Sequence, residues 1–132
     1  MVLTGVDRLG KSWPKELKGL RVGLLVHPAS VNKKLEHSLN VFFKSKKFRL
    51  KALFGPQHGI RGETQDNMVE WEGFRDPQTG LPVYSLYGHT RKPEPEMLKD
   101  IDALVIDLQD IGSRYYTFIW TMELCMQSLI NL

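Results

Sequence analysis

Two histidines, His27 and His58, three carboxylates, Glu63, Asp107 and Asp110, and three arginines, Arg61, Arg91 and Arg114, stand in polar stretches that follow short apolar runs. Such side chains can donate or accept protons, hold an anion or bind a metal. Glycoside hydrolysis asks for two carboxyl groups flanking the scissile bond, one protonated to aid the leaving group and one stabilising charge or activating water. Glu63, Asp107 and Asp110 are the candidates. Tyr84, Tyr87, Tyr115, Tyr116 and Trp120 offer flat faces for sugar rings, although Tyr84 and Trp120 suit a core equally well. The spacing alone does not choose between a sugar and a phosphate ester.

Other chemistries fit less well. A dinucleotide site needs glycines where the backbone approaches pyrophosphate, and His27-Pro28-Ala29-Ser30-Val31 has none. The Gly-x-x-x-x-Gly-Lys pattern of a phosphate-binding loop is absent from the sequence. His27 and His58 with Asp107 or Asp110 have neither i, i+4 placement nor close ligand spacing, so no metal and no cofactor is expected. The single Cys125, set among apolar residues, reads as a buried structural thiol.

The elements that must position these groups follow from the apolar pattern. Arg21 to His27 is a strand-length apolar run ending in a Pro28-Ala29-Ser30 turn, and reads as a strand buried on both faces. Leu35, Leu39, Phe42 and Phe43 recur at helical spacing, on a helix that Asn32 can cap. Leu50 to Phe54 predicts a second strand, Pro82 to Tyr87 a third and Ile101 to Leu108 a fourth. Between Gly55 and Gly80 no period is sustained, and a long loop with a turn at Asp76-Pro77-Gln78-Thr79-Gly80 is expected. Pro95 opens a short helix. From about Tyr115, Phe118, Ile119, Met122, Met126, Leu129 and Ile130 recur at helical spacing up to an uncapped end at Leu132.

Strands alternating with helices imply right-handed crossovers and an α/β fold with a mostly parallel sheet of about four strands. In such a sheet the segments 27–32, 55–63, 87–92 and 107–114 gather along one edge, where folds of this class bind ligands. Asp102, beside the fourth strand, is expected to cap a turn.

The chain has 132 residues, 42% of them hydrophobic and 25% charged, which suits one domain. A net charge of +3 is spread along the sequence, with a modest cluster at Lys44-Ser45-Lys46-Lys47, and reads as a solvated surface with no nucleic-acid partner. The start lacks a basic and apolar leader, and no run reaches the roughly 18 apolar residues of a membrane span. A cytoplasmic location is the default expectation.

Five segments then add a resemblance: Arg21-Val22-Gly23-Leu24-Leu25, Phe54-Gly55-Pro56-Gln57-His58-Gly59-Ile60-Arg61-Gly62, Thr79 to Gly88, Arg91-Lys92-Pro93, and Asp107-Leu108-Gln109-Asp110-Ile111-Gly112-Ser113-Arg114-Tyr115-Tyr116-Thr117. In this order they resemble the family once catalogued as a domain of unknown function and now known as exo-β-N-acetylmuramidases, the NamZ-type peptidoglycan hydrolases. The resemblance spans nearly the whole chain but only the amino-terminal portion of the longer family members. It implies a Rossmann-like domain over residues 1–132, incomplete relative to the family. A second, smaller carboxy-terminal domain would complete a cleft that releases N-acetylmuramic acid from peptidoglycan fragments.

The family's Gly-Pro-Glu-His-Gly motif is read here as Gly55-Pro56-Gln57-His58-Gly59, with Gln57 where the general acid/base Glu would stand. An amide has no useful pKa and can only hydrogen-bond. Glu63-Thr64-Gln65-Asp66-Asn67 likewise replaces an Asp-Ala-Gln-Ala-Gly-like run. The resemblance implies Gln57, His58, Asp107 and Asp110 at the catalytic position, and Arg61, Glu63, Arg91, Arg114 and Tyr116 as substrate-binding groups. It leaves open an enzyme impaired at Gln57, a non-catalytic relative that binds muramyl sugars or peptidoglycan, and a fragment without activity of its own.

Overall fold

Val22, Leu24, Leu25 and Val26 carry no solvent exposure, because the strand they form, β1 (Arg21–Val26), lies inside a sheet with both faces covered. Residues 2–9, 11–64, 66 and 68–130 are described by the computed structural model. Gln65, Asn67 and Leu132, on which two of the expectations above rest, lie outside the described residues. Ahead of β1 come α1 (Gly5–Leu9) and a 3-10 turn (Lys15–Leu17); α2 (Ser38–Phe43), β2 (Arg49–Gly55), β3 (Phe74–Arg75), β4 (Pro82–Ser85), α3 (Pro95–Leu98), β5 (Ala103–Asp107) and α4 (Phe118–Ile130) follow it.

The sheet order is β3-β4-β2-β1-β5, with β4, β2, β1 and β5 parallel and β3 antiparallel to β4. The chain steps outward from β1 to β2 and β4, then returns to the other side of β1 as β5. That reversal makes a topological switch point between β1 and β5, the place where open parallel sheets form a ligand crevice. The α/β class and the mostly parallel sheet agree with expectation. The strand count does not, since β3 makes five.

Alternation along the strands divides the core. Val22, Leu24, Val26 and Leu53 face a cluster with Leu39, Phe42, Phe48 and Trp71. Leu25, Ala52 and Phe54 face Leu86, Leu98 and Cys125 on the opposite side. Trp13 meets Phe42 and Phe48 edge-on, each at 4.7 Å between centroids. Burial pushes the Cys125 thiol up to about 12, as suits a structural thiol.

Some boundaries differ from expectation for local reasons. The Asn32 carbonyl oxygen of the side chain accepts from Lys34 N and Glu36 N, which closes a polar turn in place of a helix start. Leu35 consequently sits at φ +61° and 81% exposed. The α2 cap is His37, whose Nδ1 accepts from Leu39 N at 3.2 Å. Asp102 does not cap a turn; its carboxylate holds the Arg21 side chain at 2.7 Å and the Arg21 backbone N–H. Those Arg21 bonds draw its pKa down to about 2. Among the described residues no helix is long and apolar enough to cross a membrane.

Candidate functional site

A cavity of about 500 Å³ opens where the parallel strands end. Its wall takes His27 and Ala29 from the segment after β1, Gln57 and His58 from that after β2, Tyr87 from that after β4, and Gln109 and Ile111 from that after β5. Met68, Tyr115, Tyr116, Thr117 and Phe118 complete it. All four expected segments therefore contribute.

Trp71 holds the second and third of them together. Its indole Nε1 donates to the Pro56 carbonyl at 3.1 Å, and its backbone N–H donates to the Tyr87 carbonyl at 3.1 Å. The ring lies so close to Gly55 that a Cβ there would fall 2.7 Å from Trp71 Cζ2, so no larger residue fits without displacement. The turn then reverses through His58 and Gly59, both left-handed at φ +72° and +77°. A left-handed histidine is a strained backbone of the kind that gathers at functional sites.

Gln57 sits half-buried in the wall, and its Oε1 accepts from the Thr117 hydroxyl at 3.2 Å. The His58 Nδ1 lies 3.0 Å from the Thr64 carbonyl. A carbonyl only accepts, so Nδ1 carries a proton, and in the neutral tautomer that this contact selects, the lone pair stands on Nε2. Tyr116 also lines the cavity, 47% exposed.

The remaining expected residues lie outside this wall. Asp107 ends β5, where its carboxylate accepts from the Ser38 hydroxyl and its carbonyl accepts from Ser30 Oγ at 2.5 Å. Asp110 is exposed and caps Gly112 N at 3.1 Å. Glu63 folds back to accept from Arg61 N at 2.9 Å. Arg61 itself donates to Asp76 at 3.3 Å and Gln78 at 3.0 Å. Arg91 stacks 3.9 Å over the Tyr87 ring, donates to the Gly88 carbonyl and pairs with Glu70 at 2.9 Å. Arg114 is exposed and has no side-chain partner among the described residues.

Behind the cavity a polar network fixes β1 and β5. The His27 carbonyl accepts from His37 Nε2 at 3.0 Å, and the His27 N–H donates to Ser30 Oγ at 3.0 Å. Burial holds both imidazoles below the usual histidine range; the nearby Asp107 carboxylate pulls each the other way, less strongly. Asp76, fully buried, was missed as an anchor by sequence reading although its turn was expected; it accepts from Thr79 N, Thr79 Oγ1 and Arg61. Met68, Ile111 and Phe118 were missed as lining residues, and no periodicity marks the first two. Among the described residues no group of three or more His, Cys, Asp or Glu side chains is placed to hold a metal ion.

The family model described as exo-β-N-acetylmuramidase NamZ, N-terminal, matches residues 22–131. The chain belongs to this family. It is 48% identical over 127 residues to the peptidoglycan β-N-acetylmuramidase NamZ of Bacillus subtilis (strain 168), a match covering 96% of this chain and 30% of that protein. Crystal structures of two DUF1343 family proteins from Bacteroides fragilis have the same fold. One superposes with a TM-score of 0.85 at 46% identity and the other with 0.74 at 28%, each over 98% of this chain. Those matches take in 32% and 31% of the two structures. The chain thus spans just under a third of the length of these NamZ relatives.

Proposed function

We propose that this chain is the sugar-holding, amino-terminal part of a peptidoglycan-degrading glycoside hydrolase of exo-β-N-acetylmuramidase type, with proton transfer impaired by Gln57. The observation carrying this reading is the position of Gln57. It faces the cavity at the place where the family motif has Glu, with a hydroxyl already directed at its side-chain oxygen. A carboxylic acid there could protonate a leaving glycosidic oxygen and later recover the proton; the amide can only hydrogen-bond it.

The wall is made of tyrosines, a phenylalanine, aliphatic side chains, two histidines and amide and hydroxyl groups, a lining suited to a pyranose with one apolar face and a hydroxyl rim. Arg114 lies outside the wall but is exposed and has no side-chain partner among the described residues, so it is our candidate for the lactyl carboxylate of a muramyl sugar, whereas Arg61 and Arg91 are already paired with protein carboxylates. In the tautomer with Nδ1 protonated, His58 Nε2 supplies an acceptor. Asp107 and Asp110 are then charge-setting neighbours at the sheet edge.

The test is Gln57→Glu in a full-length context, for instance this chain replacing the corresponding part of the Bacillus subtilis relative. Release of N-acetylmuramic acid from a chromogenic glycoside is expected to rise. Substantial turnover without the substitution, and no gain with it, would remove residue 57 from the acid role.

A non-catalytic relative that binds muramyl sugars is the second reading, and it is favoured by one observation: the described lining includes no carboxylate. Calorimetry with muramyl ligands separates the two. Tight binding without hydrolysis, even with Glu at position 57, supports the binder, whereas no binding rules it out.

A further inference from the structure

We infer that His27 is a ligand-contacting residue of the cavity, donating from its one protonated ring nitrogen to an oxygen of the bound sugar. The inference rests on the muramyl-sugar reading above and adds a residue to it.

The two ring nitrogens of His27 meet the same kind of group. Its Nε2 receives the Gln109 backbone N–H at 3.3 Å, and its Nδ1 receives the Ala29 backbone N–H at 3.4 Å. Both neighbours are donors. A neutral imidazole has one lone pair and one N–H, and an imidazolium has two N–H groups and no lone pair. In either form at least one ring N–H confronts another N–H, and among the described residues no acceptor faces the ring. A donor buried without an acceptor is costly, and structures keep such groups where something else completes them.

His27 is well placed for that completion. It is only 6% exposed, yet it lines the cavity together with both residues whose backbones crowd it. It stands at the end of β1, and Gln109 follows β5, so the ring bridges the switch point of the sheet. Its orientation is fixed independently of the ring nitrogens. The backbone is held by Ser30 and His37, and the ring packs 4.8 Å from Phe118. The ring therefore cannot turn away to find a partner without giving up that packing. Burial favours the neutral form, which leaves one nitrogen as donor and the other satisfied by a backbone N–H. An incoming hydroxyl, acetamido or carboxylate oxygen is the complementary group; an ammonium or amide N–H would add a further donor to a place that already has too many.

Calorimetry of the full chain with the methyl β-glycoside of N-acetylmuramic acid tests this. His27→Phe keeps the ring and its contact with Phe118 but removes both nitrogens. It is expected to weaken binding about tenfold, the loss of one buried hydrogen bond. His27→Gln, which returns an amide N–H, should recover part of the loss. Wild-type affinity in His27→Phe would overturn the inference while leaving the muramyl reading intact. Failure of the unsubstituted chain to bind overturns both. Should His27→Phe not fold, nitrogen NMR of the native imidazole decides: the protonated ring nitrogen should shift when the glycoside binds, and an unmoved signal refutes the contact.

Discussion

The Thr117 hydroxyl lies 3.2 Å from the Gln57 side-chain oxygen, joining the start of α4 to the turn after β2 across sixty residues of sequence. The bond fixes which way the carboxamide points. Thr117→Val should loosen that orientation and lower stability by about 1 kcal/mol, measured by urea unfolding. Its sharper consequence appears in the Gln57→Glu background. A hydroxyl donating to a carboxylate favours the charged form. Adding Thr117→Val should therefore raise the titration midpoint of Glu at position 57, as followed by carbon NMR. An unchanged midpoint would mean that the hydroxyl turns elsewhere.

The buried histidines predict a pH dependence. His27 and His37 have pKa values lowered from 6.5 by burial, so in the acid range the unfolded chain binds more protons than the folded one. Their contribution is complete above 6.5 and declines as the pH falls below 6.5 toward the folded-state values. Melting temperature should drop between pH 7 and pH 5, and the imidazole proton resonances should titrate below 6.5 in the folded state. Midpoints at or above 6.5 would contradict the burial argument.

Asp76 gathers three donors around one buried carboxylate. Asp76→Ala leaves the Thr79 donors and the Arg61 guanidinium without their acceptor, and is expected to cost roughly 2–4 kcal/mol in chemical denaturation. Arg61→Ala removes a single, partly exposed partner and should cost much less. Equal losses would place the stabilising weight on the arginine.

The strand pattern and the site edge were legible in the sequence because both depend on burial. Val22 to Val26 is apolar without interruption since helices and loops cover both faces, and each polar turn after such a run marks a strand end. The short β3 was not legible. Phe74 and Arg75 pair with Val83 and Pro82 through backbone groups alone, which no side-chain period reports. Leu35 misled in the opposite sense, matching a helical stripe while Asn32 turned the chain and put it in water. The arginines were identified by charge, but whether Arg61 or Arg91 is available depends on Asp76 and Glu70, partners 15 and 21 residues away. The His27 crowding is tertiary too, for Gln109 comes from 82 residues downstream.

Trp71 has a thermodynamic consequence beyond its place in the core. By binding Pro56 through the indole and Tyr87 through the backbone, it makes the segments after β2 and β4 a single mechanical unit. Gln57, His58 and Tyr87 are thereby held in relation to one another before any ligand arrives. The entropy of ordering them belongs to folding, and little of it is left to oppose binding.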